Sequence, residues 1–133
     1  MSGFTWVYNL YGGAPTRRQL TVVDAAVLTK GILLNAESGE VTVAVTADTE
    51  LLGAAIEAVD NTDDGEKVWV IVNPDAVYEV TDANARHVGE HLDIDTGAIA
   101  VTTDSNHDLV VVEESSATEP TRVRIAAGNH AFD

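Results

Sequence analysis

Apolar and polar residues alternate in short runs along this chain, at positions 4–10, 19–23, 41–46, 67–73, 76–80, 98–102, 109–113 and 122–125. A period of two puts successive side chains on opposite faces of an extended backbone, so each run reads as a strand with one face turned inward. Turn-forming groups separate the runs: Gly12-Gly13, Ser38-Gly39, Asp64-Gly65, Asn73-Pro74-Asp75, Thr96-Gly97 and Glu119-Pro120. Helical periodicity is scarce. Segments 24–29 and 82–87 each open on an aspartate able to cap a turn, but Gly31 and Gly89 cut them short, and they read as single helical turns or loops. Residues 51–59 are apolar enough for a helix, while Gly53, Ile56 and Val59 leave a strand equally open. Many short strands at this spacing indicate an all-β fold, a β-barrel or β-sandwich of short antiparallel strands.

A chain of 133 residues can bury one core without covalent staples, and a single domain is expected. The expected organisation is an N-terminal arm or strand over 1–18 and one β domain over 19–133. The polar stretch 113–121 reads as a loop within that domain, because one strand follows it. Laid on itself at an offset of 58 positions, the chain matches without gaps. Val22, Asp24, Ala25, Gly31, Leu34 and Asn35 face Val80, Asp82, Ala83, Gly89, Leu92 and Asp93, and the match continues from Glu37-Ser38-Gly39 against Asp95-Thr96-Gly97 to Val43 against Val101. Each copy, about 21–46 and 79–104, reads as a capped turn, a glycine entering a strand, a hairpin turn and a second strand, the halves sharing one core about a pseudo-twofold axis.

The 22 acidic and 7 basic residues leave a formal net charge of −15. Nucleic-acid binding depends on cations that neutralise phosphates, so no nucleic-acid partner is expected. Just two of the basic residues are lysine, Lys30 and Lys67, and the apolar fraction leans on alanine and valine. That balance fits either a chain adapted to a high-salt cytoplasm or an ordinary acidic surface. There is no cysteine, so neither disulfides nor thiolate metal sites are available. No apolar run is long enough for a signal peptide or a membrane span, and no membrane partner is expected.

No catalytic residue, metal site or cofactor is expected, and the chain is read as a non-enzyme. The segment His87-Val88-Gly89-Glu90-His91 fits the H-x-x-E-H pattern of inverzincins, where two histidines on one helical face hold zinc. Gly89 interrupts any such helix, so these read as two solvent-facing histidines beside a turn. The acidic stretch 60–66, and Asp93 with Asp95, are oxygen-rich enough for calcium, but Ile71 stands where an EF-hand loop opened by Asp60 needs its glutamate. Nucleophile elbows and phosphate-cradling glycine loops are missing.

The N-terminal segment holds Phe4, Trp6, Tyr8 and Tyr11, four of the seven aromatic residues, followed by Arg17 and Arg18. At period two Phe4, Trp6 and Tyr8 share one strand face, and Trp, Tyr and Arg dominate protein interfaces. Trp6, Tyr8, Tyr11, Arg17 and Arg18 are therefore the candidate partner-binding residues, with a core role open for Phe4 and Trp6. Arg122 and Arg124, again on one strand face, read as partners of neighbouring carboxylates.

The pattern Ala25-Ala26-Val27 … Gly31-Ile32-Leu33-Leu34, the Ser38-Gly39 hairpin, Leu52-Gly53-Ala54-Ala55-Ile56 and Val68-Trp69-Val70 resembles small accessory proteins of tailed-virus heads. The run from Gly89 to Glu113, with Asp93 and Thr102-Thr103-Asp104, is similar to the second half of head decoration proteins. The resemblance implies a β-barrel or β-sandwich cement protein on the outside of an icosahedral capsid. Its partners would be the major capsid protein and copies of itself, as a trimer or dimer. It would reside in the virion and, during assembly, in the host cytoplasm. With the acidic composition, the host would be a halophile such as a haloarchaeon. The alternative is a small acidic β-module that binds a ligand or Ca2+. Salt adaptation makes a direct prediction: stability should rise with salt as screening relieves carboxylate repulsion, and a melting temperature unchanged between dilute buffer and about 1 M KCl would count against it.

Overall fold

The computed structural model describes residues 3–62, 65–103 and 106–132. In chain order its strands are β1 Thr5–Asn9, β2 Arg17–Thr21, β3 Val27–Leu28, β4 Leu33–Glu37, β5 Glu40–Val43, β6 Leu51–Ala54 and β7 Val59–Asp60. There follow β8 Lys67–Ile71, β9 Ala76–Val80, β10 His91–Ile94, β11 Val101–Thr103, β12 Leu109–Val111 and β13 Thr121–Ile125, with one short 3-10 turn at Thr96–Ala98. Every alternating run overlaps a strand. The additional strands are those whose pattern is not alternating: β6 is buried along its whole length and β4 over Leu33, Leu34 and Asn35. A strand covered on both faces reads as a continuous apolar run, the reason residues 51–59 looked as much like a helix.

The chain is all-β. One antiparallel sheet has the order β1-β9-β13-β12-β10-β11, a second β5-β4-β6, and two ladders pair β2 with β8 and β3 with β7. The larger sheet ends at β1 and β11 without closing, so the arrangement is sandwich-like and the barrel alternative falls away. Side chains from all these layers form one core: Leu33, Leu34, Leu51 and Leu52 of the smaller sheet meet Val68, Val70, Tyr78, Leu92, Leu109 and Val123. Each buried side chain of this size contributes about 1.5–3 kcal/mol relative to exposure. The C-terminal segment closes on the same sheet, with the Leu51 amide donating to the Asn129 carbonyl and the Ala131 amide to the Leu51 carbonyl, both at 2.8 Å.

The two stretches related by 58 positions have the same order of pairings. In the first, β2 pairs with β8, β3 with β7, and β4 lies between β5 and β6. In the second, β9 pairs with β13, Arg86 bridges Ser115, and β10 lies between β11 and β12. The hairpins differ in detail. Ser38 and Gly39 both have positive φ, 51° and 84°, and form a two-residue turn with Glu37 opposite Glu40. In the second copy the Asp95 amide reaches the Ala100 carbonyl across a longer loop holding the 3-10 turn, which moves the register: Ile94 faces Val101.

The described N-terminal residues enter the larger sheet. β1 is an edge strand of the larger sheet, paired with β9, and Phe4 is buried with its ring edge-on to Tyr78 at 6.5 Å. Gly53 is where the layers come closest. A Cβ there would overlap the Ile71 carbonyl oxygen and crowd the Tyr78 hydroxyl, and its φ of +149° is one that L side chains rarely adopt. Gly53→Ala should therefore destabilise the fold by about 3 kcal/mol or more, a loss read directly as a lower denaturation midpoint in urea.

Candidate partner-binding surface

Trp6 and Tyr8 do not share a face. The β1/β9 register slips between them, so Trp6 lies opposite Tyr78 and Tyr8 opposite the neighbouring Val77. Residues adjacent on β9 point to opposite sides, and the bulge therefore sends the two aromatics apart, against the simple period-two expectation. Trp6 is half-buried, and its indole N–H donates to Asn9 Oδ1 at 3.0 Å. The Asn9 amide in turn donates to the carbonyls of Gly13 and Ala14 at 3.3 and 3.1 Å, holding the returning loop from which Tyr11 projects with 81% of its surface exposed.

On the outer face Tyr8 donates its hydroxyl to Glu113 Oε2 at 2.5 Å. Arg122 bridges the same carboxylate at 2.9 Å and Glu79 at 3.0 Å. The Tyr8 hydroxyl and then the Arg122 guanidinium hold Glu113 below the usual carboxylate range, and the hydrogen bond to Glu113, followed by burial, raises the Tyr8 phenol. Arg122 thus pairs with neighbouring carboxylates, as its place on the strand predicts.

Arg17 and Arg18 also diverge. On the β2/β8 ladder Arg17 faces Ile71 and Arg18 faces Val70; the Arg18 guanidinium lies 5.8 Å from the Phe132 ring centre. Arg17 instead lines a groove of about 490 Å³ that also takes in Trp6, Lys30, Ile56 and Ile71. The structure therefore brings Trp6 and Arg17 together, and leaves Tyr8, Tyr11 and Arg18 in three other places.

The H-x-x-E-H segment is not helical. Its His87 Nδ1 lies 2.8 Å from Glu114 Oε2, which raises the His87 pKa, while the His91 ring packs on His107 with centroids 4.7 Å apart. Among the described residues no group of three His, Asp or Glu side chains is placed to hold a metal. In the acidic stretch 60–66, Asp60 accepts from the Thr62 amide at 3.0 Å, and Asp63 and Asp64 lie outside the described residues. Two polar residues that alternation could not single out are structural anchors. Asn61 is buried, donates to the Val22 and Val23 carbonyls at 3.1 and 2.8 Å, and accepts from the Glu66 amide. Asp108 is buried and accepts from the Thr46 hydroxyl and from the amides of Ala47 and Ile94 at 2.8, 2.9 and 2.9 Å.

No protein-family model matches this chain, and no curated protein matches it. Solved structures do. One is the N base of the head fiber gp8.5 of bacteriophage phi29, similar at a TM-score of 0.55 and 20% identity, over 84% of this chain and 95% of that one. A likeness at this identity is one of fold.

The outer-face network gives a titration test. Tyr8→Phe removes the donor that stabilises the Glu113 carboxylate, so the Glu113 pKa should rise toward the ordinary range, read by NMR titration of its side-chain carboxyl. Stability should change by less than about 1 kcal/mol, because both partners of the ion pair remain open to solvent.

Proposed function

We propose that the chain is a structural protein of a tailed-virus head that binds the outer surface of the icosahedral capsid and stabilises it. The observation that carries this reading is the fold shared over 84% of the chain with the base of a phage head fiber. The motif resemblance to head accessory proteins points the same way from the sequence. In this reading the protein does no chemistry: it binds the major capsid protein, associates with copies of itself, and works by burying surface. The common order of pairings in the two halves is read as a duplicated unit, which gives one small chain two similar surfaces. The charge of −15 is read as adaptation to a high-salt host.

The test is particle composition. Purified virions should contain the chain in copy number comparable to the shell protein, and an antibody raised against the chain should label intact particles. A virion without the chain, or one in which the antibody labels after disruption alone, overturns the proposal.

A further inference from the structure

Both tryptophans and both lysines of the chain belong to one region of the surface. Trp6 and Lys30 line the groove beside β1, with Arg17 and Ile71 across from them. Ile71 pairs with Arg17, and further along the same ladder Trp69 faces Gln19 and Lys67 faces Thr21. Alternate residues share a strand face, so the groove wall continues onto Trp69 and Lys67 while Val68 and Val70 turn into the core. Trp69 leaves 40% of its surface exposed.

Two further observations say what kind of partner fits. Arg17, Lys30 and Lys67 make no ion pair among the described residues, whereas Arg86 and Arg122 are each tied to two carboxylates. In a chain with 22 acidic residues, cations left without a partner beside exposed aromatics form a surface complementary to carboxylates. Glu57, whose carboxylate accepts from the Trp69 amide at 3.3 Å, borders this face without neutralising it. The groove also runs along the open edge of β1: Phe4, Thr5 and Trp6 line it, none of its lining residues belongs to β9, and no other described strand pairs with β1. An open edge offers main-chain hydrogen bonds to an extended peptide.

We propose that this face docks an extended segment of the shell protein in which apolar side chains alternate with carboxylates. The apolar side chains enter the groove over Trp6 and Ile71, the carboxylates meet Arg17, Lys30 and Lys67, and the segment's backbone adds to β1. This rests on the reading that the chain binds a capsid. A second copy of the chain is the poorer occupant, since it carries the same charge of −15 into the contact.

The experiment is sedimentation of the full chain with empty shells assembled from the major capsid protein of the same genome. The wild-type chain should bind. The variant R17E/K30E/K67E should bind about thirtyfold more weakly or worse, whereas V88A and R124E, elsewhere on the surface, should stay within about threefold. Hydrogen exchange of the bound chain should show new protection at the β1 amides that point away from β9. If the triple variant melts early, the double variant K30E/K67E, changed at two exposed side chains, carries the same expectation. Wild-type binding with undiminished binding by the charge variants overturns the docking site and leaves the capsid reading standing. A wild-type chain that does not bind shells removes both. Charge variants that alter the sedimentation of the free chain mark a contact between copies, and that also overturns the proposal.

Discussion

Tyr78 is fully buried at the centre of β9, where its phenol has to find a polar partner or forfeit the hydrogen bonds that water supplied. It finds the Ala54 amide, which donates to the hydroxyl at 3.4 Å from the smaller sheet. Burial drives the phenol pKa upward, so the group stays neutral and the contact costs no buried charge. The rest of the architecture is arranged around this contact. Gly53 lacks a side chain because the hydroxyl and the Ile71 carbonyl occupy that space, Phe4 lies edge-on to the ring, and β1 is thereby held beside β9. With β1 held there, its open edge faces β2 and β8 across the groove.

Two buried polar side chains extend the same logic to the connections. Asp108 joins Thr46 and Ala47, just past the first hairpin, to Ile94 at the end of β10, and so ties the first half of the chain to the second. Asn61 binds the exit of β2 to the loop before β8. Apolar packing alone tolerates sliding of one layer over another. A buried carboxylate or amide does not, because each misplaced register strands a polar group at a cost of about 1–3 kcal/mol. These two residues therefore contribute more to choosing one arrangement than to its total stability.

The strands on half-exposed faces were legible because their two sides meet different solvents, and period two survives in Lys67-Val68-Trp69-Val70 and in Thr121-Arg122-Val123-Arg124-Ile125. β6 was ambiguous for the converse reason: with both faces covered, Leu51, Leu52, Gly53 and Ala54 leave no periodic signal. The Ser38-Gly39 turn was readable since few residues accept positive φ at both central positions. The bulge in β1 was not. It depends on how β9 meets β1, a contact between residues some seventy positions apart, and it separates Trp6 from Tyr8. The candidate surface was half legible for the same reason. Trp6 and Arg17 were singled out as aromatic and basic residues near one end of the chain, but Lys67 and Trp69 join them through a strand pairing, and Lys30 through the docking of its turn on Phe4, that local patterning does not contain.

The location of the cations matters more for association than their number. A chain of charge −15 meets another acidic surface against a long-range repulsion that salt screens within about 8 Å at physiological ionic strength and about 3 Å at 1 M. Once that field is screened, what remains is the chemistry of the few ångströms at the contact, where an unpaired arginine or lysine beside a half-buried tryptophan combines charge pairing with desolvation. Arg86 and Arg122 contribute little there, since their guanidinium groups are already spent on Asp82, Glu90, Glu79 and Glu113. Arg17, Lys30 and Lys67 have made no such bargain among the described residues, so their full interaction is still available to a partner's carboxylates. High salt removes the repulsion at distance and weakens these exposed pairs less than it relieves the net field, because pairs in contact lie about one screening length apart whereas the net field acts over several. In the proposed docking the contact is thus left to the face where Arg17, Lys30 and Lys67 lie beside Trp6 and Trp69, while the carboxylates elsewhere keep the chain apart from other acidic surfaces.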